Sequence, residues 1–338
     1  MSDLPHPRDR RDWLGDPAMD AALRARLDDG SLSHGWLLCG PPGVGRATLA
    51  YRIARARLAE APAPQADTLA VADDDKGARL VDAQAHPDLF VAEPLWDEKK
   101  KKFASEISVD QVRALGAFLG RTASRGGWRV IIVDPADRMN RNAANALLKA
   151  LEEPPPRTLL LLVAGAPGRV LPTIRSRCRR LDVRPRPAQD IAAFLRKEGA
   201  EDDVDAVAAA SAGRPGYALA LALGAGGEAV AAVDAVLRAG FGRGEAASAV
   251  QRLTGKAGDA RWPIFKPMLV DALRGAARAA VVGAPVSHTA IAASGAGAAG
   301  LLTAAEELAS FLDRGEALNL DRAHMIQYAV RRLQEAAQ

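Results

Sequence analysis

The run Gly40-Pro41-Pro42-Gly43-Val44-Gly45-Arg46-Ala47-Thr48 could do chemistry. Its spacing nearly matches G-x-x-x-x-G-K-[ST], a loop whose glycines let backbone N–H groups curl around phosphate oxygens. A helix starting straight after the loop adds its positive end to the same anion. Two positions depart from the pattern. Arg46 stands where the lysine belongs, and its planar fork is wider than a compact ammonium. Ala47 stands where a hydroxyl would hold Mg²⁺, and Thr48 is one place on, pointing in another direction. Gly40, Gly43, Gly45, Arg46 and Thr48 are therefore the candidate phosphate-binding residues of a degenerate site. Tight binding of Mg-ATP is not expected there; the alternative is a vestigial loop holding sulfate, phosphate or nothing.

A second acidic position follows at the end of the apolar run Val130-Ile131-Ile132-Val133. In nucleotide-hydrolysing proteins with this loop, such a strand ends in Asp-Glu. The aspartate serves Mg²⁺ and the glutamate polarises the attacking water. Here the strand ends in Asp134-Pro135-Ala136-Asp137. Asp134 fits the metal position and joins the candidate site. Pro135 can neither accept a proton nor orient water, and Asp137 reads as a helix N-cap or a surface charge.

These residues need a strand–loop–helix frame, and the surrounding pattern supplies it. Gly35 to Cys39, Val130 to Val133 and Leu159 to Val163 are short apolar runs with the signature of buried parallel strands. Leu181 to Val183 is strand-like. Between them lie helical patterns at Pro17–Leu27, Ala47–Ala59, Asn142–Leu151 and Val170–Arg175, and one opening after Ser108, a plausible N-cap. Strands alternating with helices predict an α/β fold with a parallel sheet. Residues 60–85, with Asp73-Asp74-Asp75, read as a surface excursion, and Lys99 to Lys102 as a solvated loop tip. Arg184-Pro185-Arg186-Pro187 and Gly224-Ala225-Gly226-Gly227 read as linkers, and no strand pattern follows the first. The expected organisation is an α/β domain over 1–183, a small helical lid over 184–225 and a helical collar over 226–338.

Composition narrows the function. Of 338 residues, 45 are basic and 41 acidic, a net charge of +4 that does not by itself indicate a nucleic-acid binder. The two cysteines, Cys39 and Cys178, form no CxxC pair, which excludes a cysteine zinc module; no metal site is expected. The polar N-terminal stretch and the absence of a long apolar window fit a cytoplasmic chain.

Several segments carry a family resemblance. Asn142 to Pro155, reading NAANALLKALEEPP, looks like the segment after the acidic strand in bacterial DNA polymerase III clamp-loader subunits of AAA+ type. Ser176-Arg177-Cys178 matches their SRC motif. Pro172 to Cys178, His86-Pro87-Asp88 and Ile107 to Arg113 are closer still to the delta-prime branch. The match runs from Trp13 to about Val183, and later only Gly213-Arg214-Pro215-Gly216 adds to it. The resemblance implies a subunit of a ring with delta and gamma/tau, the assembly that opens the sliding clamp and places it on primed DNA. It implies that Arg177 reaches in trans, as an arginine finger, to a neighbour's ATP. It also implies that the polar sensor falls at Ala164-Gly165 and the lid arginine at Gly216, with Arg214 out of register. Trp13-Leu14-Gly15 resembles the adenine-pocket segment, a plain apolar contact being the alternative. The four-cysteine zinc module of many relatives is missing. No cofactor is required on this reading, and ATP or phosphate binding is weak at most. Two other readings stay open: an active ATP-driven motor of gamma/tau type, and a DNA-binding module using Arg175 to Arg180 and Lys99 to Lys102.

Overall fold

The computed structural model describes residues 5–61, 67–97, 102–104, 106–124, 127–200, 204–222, 226–283, 286 and 288–337. Contacts group the chain into two compact units: Pro5–Glu198 with Ala208–Gly216, and Gly199–Val207 with Tyr217–Gln338. The segment expected as a lid, 184–225, contributes to both.

In the first unit the apolar runs form a five-stranded parallel sheet. The strands are β1 (Gly35–Cys39), β2 (Leu89–Ala92), β5 (Arg129–Val133), β6 (Thr158–Ala164) and β7 (Arg179–Asp182), in the order β2-β5-β6-β1-β7. A two-stranded ribbon, β3 (Trp96–Asp97) with β4 (Lys102–Phe103), lies apart from it. Residues of β1, β5 and β6 are buried throughout, because helices cover both faces. Side chains alternate across the sheet with period two. Trp36, Leu38, Val130, Ile132, Leu159 and Leu161 join one core, with Leu49 and Ile53 of α2 (Arg46–Leu58) and Leu23 and Leu27 of α1 (Pro17–Asp28). Leu37, Ile131, Val133, Leu160 and Leu162 join the other, with Val112 and Leu115 of α4 (Val109–Leu119) and Leu147 and Leu151 of α5 (Arg141–Glu152). Each fully buried Leu or Ile contributes about 1.5–3 kcal/mol. Ser108 caps α4 in a reciprocal capping box with Gln111.

One segment differs from expectation. The surface excursion over 60–85 contains α3 (Lys76–Asp82), whose Ala78 and Val81 are fully buried. Asp75 is its N-cap, and its carboxylate accepts the N–H of Ala78 (2.8 Å), Glu60 (3.0 Å) and Ala61 (3.0 Å). The third aspartate of the acidic run is thus 6% exposed and structural. Lys99 to Lys101 lie outside the described residues.

After β7 and the short α6 (Pro172–Arg175) that precedes it, described residues hold helices only. They are α7 (Ala188–Lys197), α8 (Val204–Ala210), α9 (Pro215–Ala220), α10 (Gly226–Gly240), α11 (Ala247–Leu253), α12 (Gly255–Val282), α13 (Thr289–Ala292), α14 (Ala298–Ala317) and α15 (Arg322–Ala336). In the second unit, Trp262, Phe265, Leu269 and Leu273 of α12 pack with Leu308 and Leu312 of α14 and Ile326 and Leu333 of α15. No described helix is long and apolar enough to cross a membrane.

Candidate functional site

The loop leaves β1 at Cys39 and enters α2 at Arg46, at the carboxyl ends of the strands, where open α/β sheets bind ligands. Gly40 is required by close approach: a Cβ there would stand 2.5 Å from the Val183 carbonyl oxygen. Gly45 caps α2 in the left-handed region (φ 97°), and its carbonyl accepts the Leu49 N–H at 2.9 Å. Gly43 (φ 81°) forms the bend between them, and Thr48 follows in the first turn of α2.

Arg46 is turned inward. Its guanidinium approaches Gly165 at the end of β6, where a Cβ would lie 3.1 Å from Nη1 and 3.4 Å from Nη2. The buried Nη1 has no hydrogen-bond partner. Burial pulls Arg46 below the ordinary arginine value, and the charges of Asp134 and Asp137 work against that. Asp137 lies 3.6 Å from the same Gly165 point and accepts the N–H of Gly165 (3.2 Å) and Ala166 (2.8 Å). The expectation of an N-cap or surface charge is therefore corrected: Asp137 ties the 3-10 turn Ala136–Arg138 to the end of β6. Burial raises Asp134 to about 6, against the pull of Arg46 and with the repulsion of Glu93 and Asp137. These residues gather around an internal arginine.

The remaining departures fit the same geometry. A polar sensor in place of Gly165 would meet the Arg46 guanidinium. Gly216, the position implied for the lid arginine, donates its N–H to the Gly43 carbonyl at 2.9 Å. A Cβ at Gly216 would come within 3.3 Å of that oxygen. Trp13 lies against the loop, Nε1 standing 3.2 Å from where a Gly45 Cβ would be; this nitrogen too is buried and unpartnered.

Sequence reasoning missed Glu93. Asp134 N–H donates to Ala92 O at 3.0 Å, which brings the residue after β2 beside the residue after β5. The Glu93 carboxylate meets His6 Nε2 at 3.5 Å and accepts from Gln84 Nε2 at 3.2 Å; Gln84 also donates to the Tyr51 hydroxyl at 2.7 Å. The His6 contact, chiefly, holds Glu93 below its ordinary value. No motif marks it; the one signal is its place at the end of a strand neighbouring the acidic one. The N-terminal arm is pinned above α2 by Arg55, which donates to Arg8 O (3.0 Å) and Arg10 O (2.8 Å), and by Arg52, which donates to Arg11 O (3.1 Å).

Arg177 lies elsewhere. It follows α6 and precedes β7, and its carbonyl oxygen is 3.3 Å from where a Gly35 Cβ would stand, at the start of β1. The phosphate loop leaves the other end of that strand, about 13 Å away at the usual rise per residue. Nη2 of Arg177 pairs with Glu152 Oε1 at 2.8 Å, and Nη1 donates to Thr173 O at 3.0 Å. Burial pushes the adjacent Cys178 thiol up to about 12. Among the described residues no group of His, Cys, Asp and Glu is arranged to hold a metal ion.

A family model described as "DNA polymerase III, delta subunit" matches residues 15–187. The DNA polymerase III subunit delta' of Pseudomonas aeruginosa is 46% identical over 146 residues, 43% of this chain and 42% of that one, so the match spans under half of that relative's length. The subunit delta' of Escherichia coli is 34% identical over 268 residues, 78% of this chain and 77% of that one. A gamma/tau subunit of Mycobacterium tuberculosis is 33% identical over 184 residues, 54% of this chain and 30% of that one. Among solved structures, a gamma subunit-related protein of Thermotoga maritima covers 94% of this chain and 99% of its own, at 18% identity and a TM-score of 0.47. With a family model matching half its length and an E. coli relative aligned over more than three quarters of it, the chain belongs to the delta-prime family of DNA polymerase III clamp-loader subunits.

Proposed function

We propose that the chain is a non-hydrolysing member of a cytoplasmic clamp-loader ring, and that it lends Arg177 as an arginine finger to a neighbour's nucleotide site. The observation that carries this is the separation of its two functional elements. Arg177 sits at the start of β1 and the phosphate loop at its end, so a side chain at Arg177 cannot serve its own loop. A guanidinium inserted in trans neutralises charge developing on the transferred phosphoryl group, an effect of about 10³–10⁵ in rate in well-studied cases. The neighbours would be gamma/tau-type and delta-type subunits, with the sliding clamp and primed DNA reached through the complex.

The residues at this chain's own loop do not fit a magnesium–nucleotide. Ala47 has no oxygen for the metal, the Arg46 guanidinium is buried beside Gly165, and Gly216 lies against the Gly43 carbonyl. No cofactor is required on this reading, and phosphate or ATP binds weakly at most. The test is ATP hydrolysis by the chain alone and by the reconstituted complex with Arg177→Ala or Arg46→Ala. The first should depress turnover of the complex by at least tenfold and the second should matter little. Robust magnesium-dependent turnover by the isolated chain would refute the proposal and favour a motor of gamma/tau type.

A further inference from the structure

One polar cluster outside the phosphate loop involves the lent arginine itself. Glu152 is the last residue of α5, where the helix dipole disfavours a negative charge. Its position is fixed from below. Leu151 is buried, and its carbonyl lies 3.1 Å from His34 Nε2, anchoring the end of α5 to the residue before β1. Arg177 folds back onto this anchored end. Nη2 meets Glu152 Oε1 at 2.8 Å and Nη1 meets Thr173 O at 3.0 Å, and the Ser176 hydroxyl also donates to Thr173 O at 3.0 Å. Both terminal nitrogens, the pair that grips two phosphate oxygens in a bidentate contact, are thus engaged within the chain. The pair is nevertheless accessible, with Arg177 37% and Glu152 48% exposed, so an arriving anion can break it.

We infer that Glu152 is a positioning residue that parks Arg177. The carboxylate holds the guanidinium on its own chain until the more highly charged phosphates of a neighbour outcompete it, and this sets how readily the ring hydrolyses ATP before clamp and DNA complete the assembly. The inference rests on the reading that Arg177 acts in trans. An exposed pair of this kind is weak, so its removal should change the unstimulated rate by about two- to fivefold.

The experiment uses the reconstituted complex, with ATP turnover measured without and with sliding clamp and primed DNA. Glu152→Gln keeps the shape and removes the charge. It should raise unstimulated turnover about two- to fivefold and leave stimulated kcat and the KM for ATP unchanged, because in the stimulated ring Arg177 has already left Glu152. The double variant Glu152→Gln/Arg177→Ala should behave as Arg177→Ala alone. If Arg177→Ala has no effect, the trans reading itself fails, and the parking role with it. If Arg177→Ala depresses turnover but Glu152→Gln leaves the unstimulated rate unchanged or lowers it, parking alone is overturned. A rise that persists in the double variant shows that Glu152 acts through some other group, and overturns it as well.

Discussion

Replacing Asp134 with asparagine should stabilise this protein at neutral pH, where the same change in a magnesium site would only remove function. Burial raises the carboxyl from its ordinary 3.8 to about 6, with the attraction of Arg46 already included in that value. The folded state therefore holds the proton more tightly than the unfolded state. Well below pH 4 both states are protonated and the group is neutral to stability. Between about pH 4 and 6 the unfolded chain ionises first, and stability falls as pH rises. Above about pH 6 both states are ionised and the full penalty stands. At about 1.4 kcal/mol per pH unit, that penalty is about 3 kcal/mol at pH 7.5 and about 1 kcal/mol at pH 4.5. A carboxamide at this position never ionises and escapes it. Urea unfolding of the full chain and of Asp134→Asn, followed by tryptophan fluorescence at both pH values, should show the variant's advantage growing by about 2 kcal/mol from pH 4.5 to 7.5. An equal or destabilised variant at pH 7.5, or a difference independent of pH, would refute the picture of a buried, strained carboxylate.

Two further outcomes follow from neighbouring contacts. Gly165→Ser restores a sensor hydroxyl but places Cβ 3.1 Å from Arg46 Nη1; it should cost about 1–3 kcal/mol in thermal or urea unfolding, and the cost should shrink in an Arg46→Ala background. Asp75→Ala removes an acceptor from the N–H groups of Ala78, Glu60 and Ala61 and should cost about 2–3 kcal/mol at pH 7. Burial opposes ionisation of Asp75, but these hydrogen bonds outweigh it and leave its value lowered. The stability it supplies is therefore present above the unfolded value near 4 and is lost as pH falls below it, and the Asp75→Ala defect should fade in acid.

The sheet was legible because parallel strands are buried on both faces and so read as unbroken apolar runs. Val130–Val133 and Leu159–Val163 needed no context to be recognised, and the glycine loop was fixed by its strand before and helix after. Less legible were groups whose partners are backbone atoms remote in sequence. Asp137 looked like a cap because its acceptor role is directed at N–H groups 28 and 29 residues away, which no local periodicity records. Asp75 hid in a run of three aspartates, since composition cannot tell a carboxylate facing water from one that closes a turn. Glu93 was invisible for a third reason: it meets Asp134 only because β2 and β5 are sheet neighbours.

The departures from a working nucleotide site are physically linked. With a guanidinium in place of the ammonium and turned inward, the space beside the end of β6 is taken up, so a side chain at Gly165 would press on it. Burial raises the Asp134 value, and the nearby Arg46 offsets that only in part. Asp137 adds a second negative charge toward that arginine while satisfying two backbone donors. Gly216 lets the chain lie against Gly43, where a larger residue would crowd the loop carbonyl. Adding a side chain at Gly165 or at Gly216 alone therefore opposes its neighbours. On the proposed non-hydrolysing reading, a route back to magnesium-dependent hydrolysis would have to change Arg46, Ala47, Pro135 and Gly165 together, so Gly165→Ser or Gly216→Arg alone should lower stability without producing turnover.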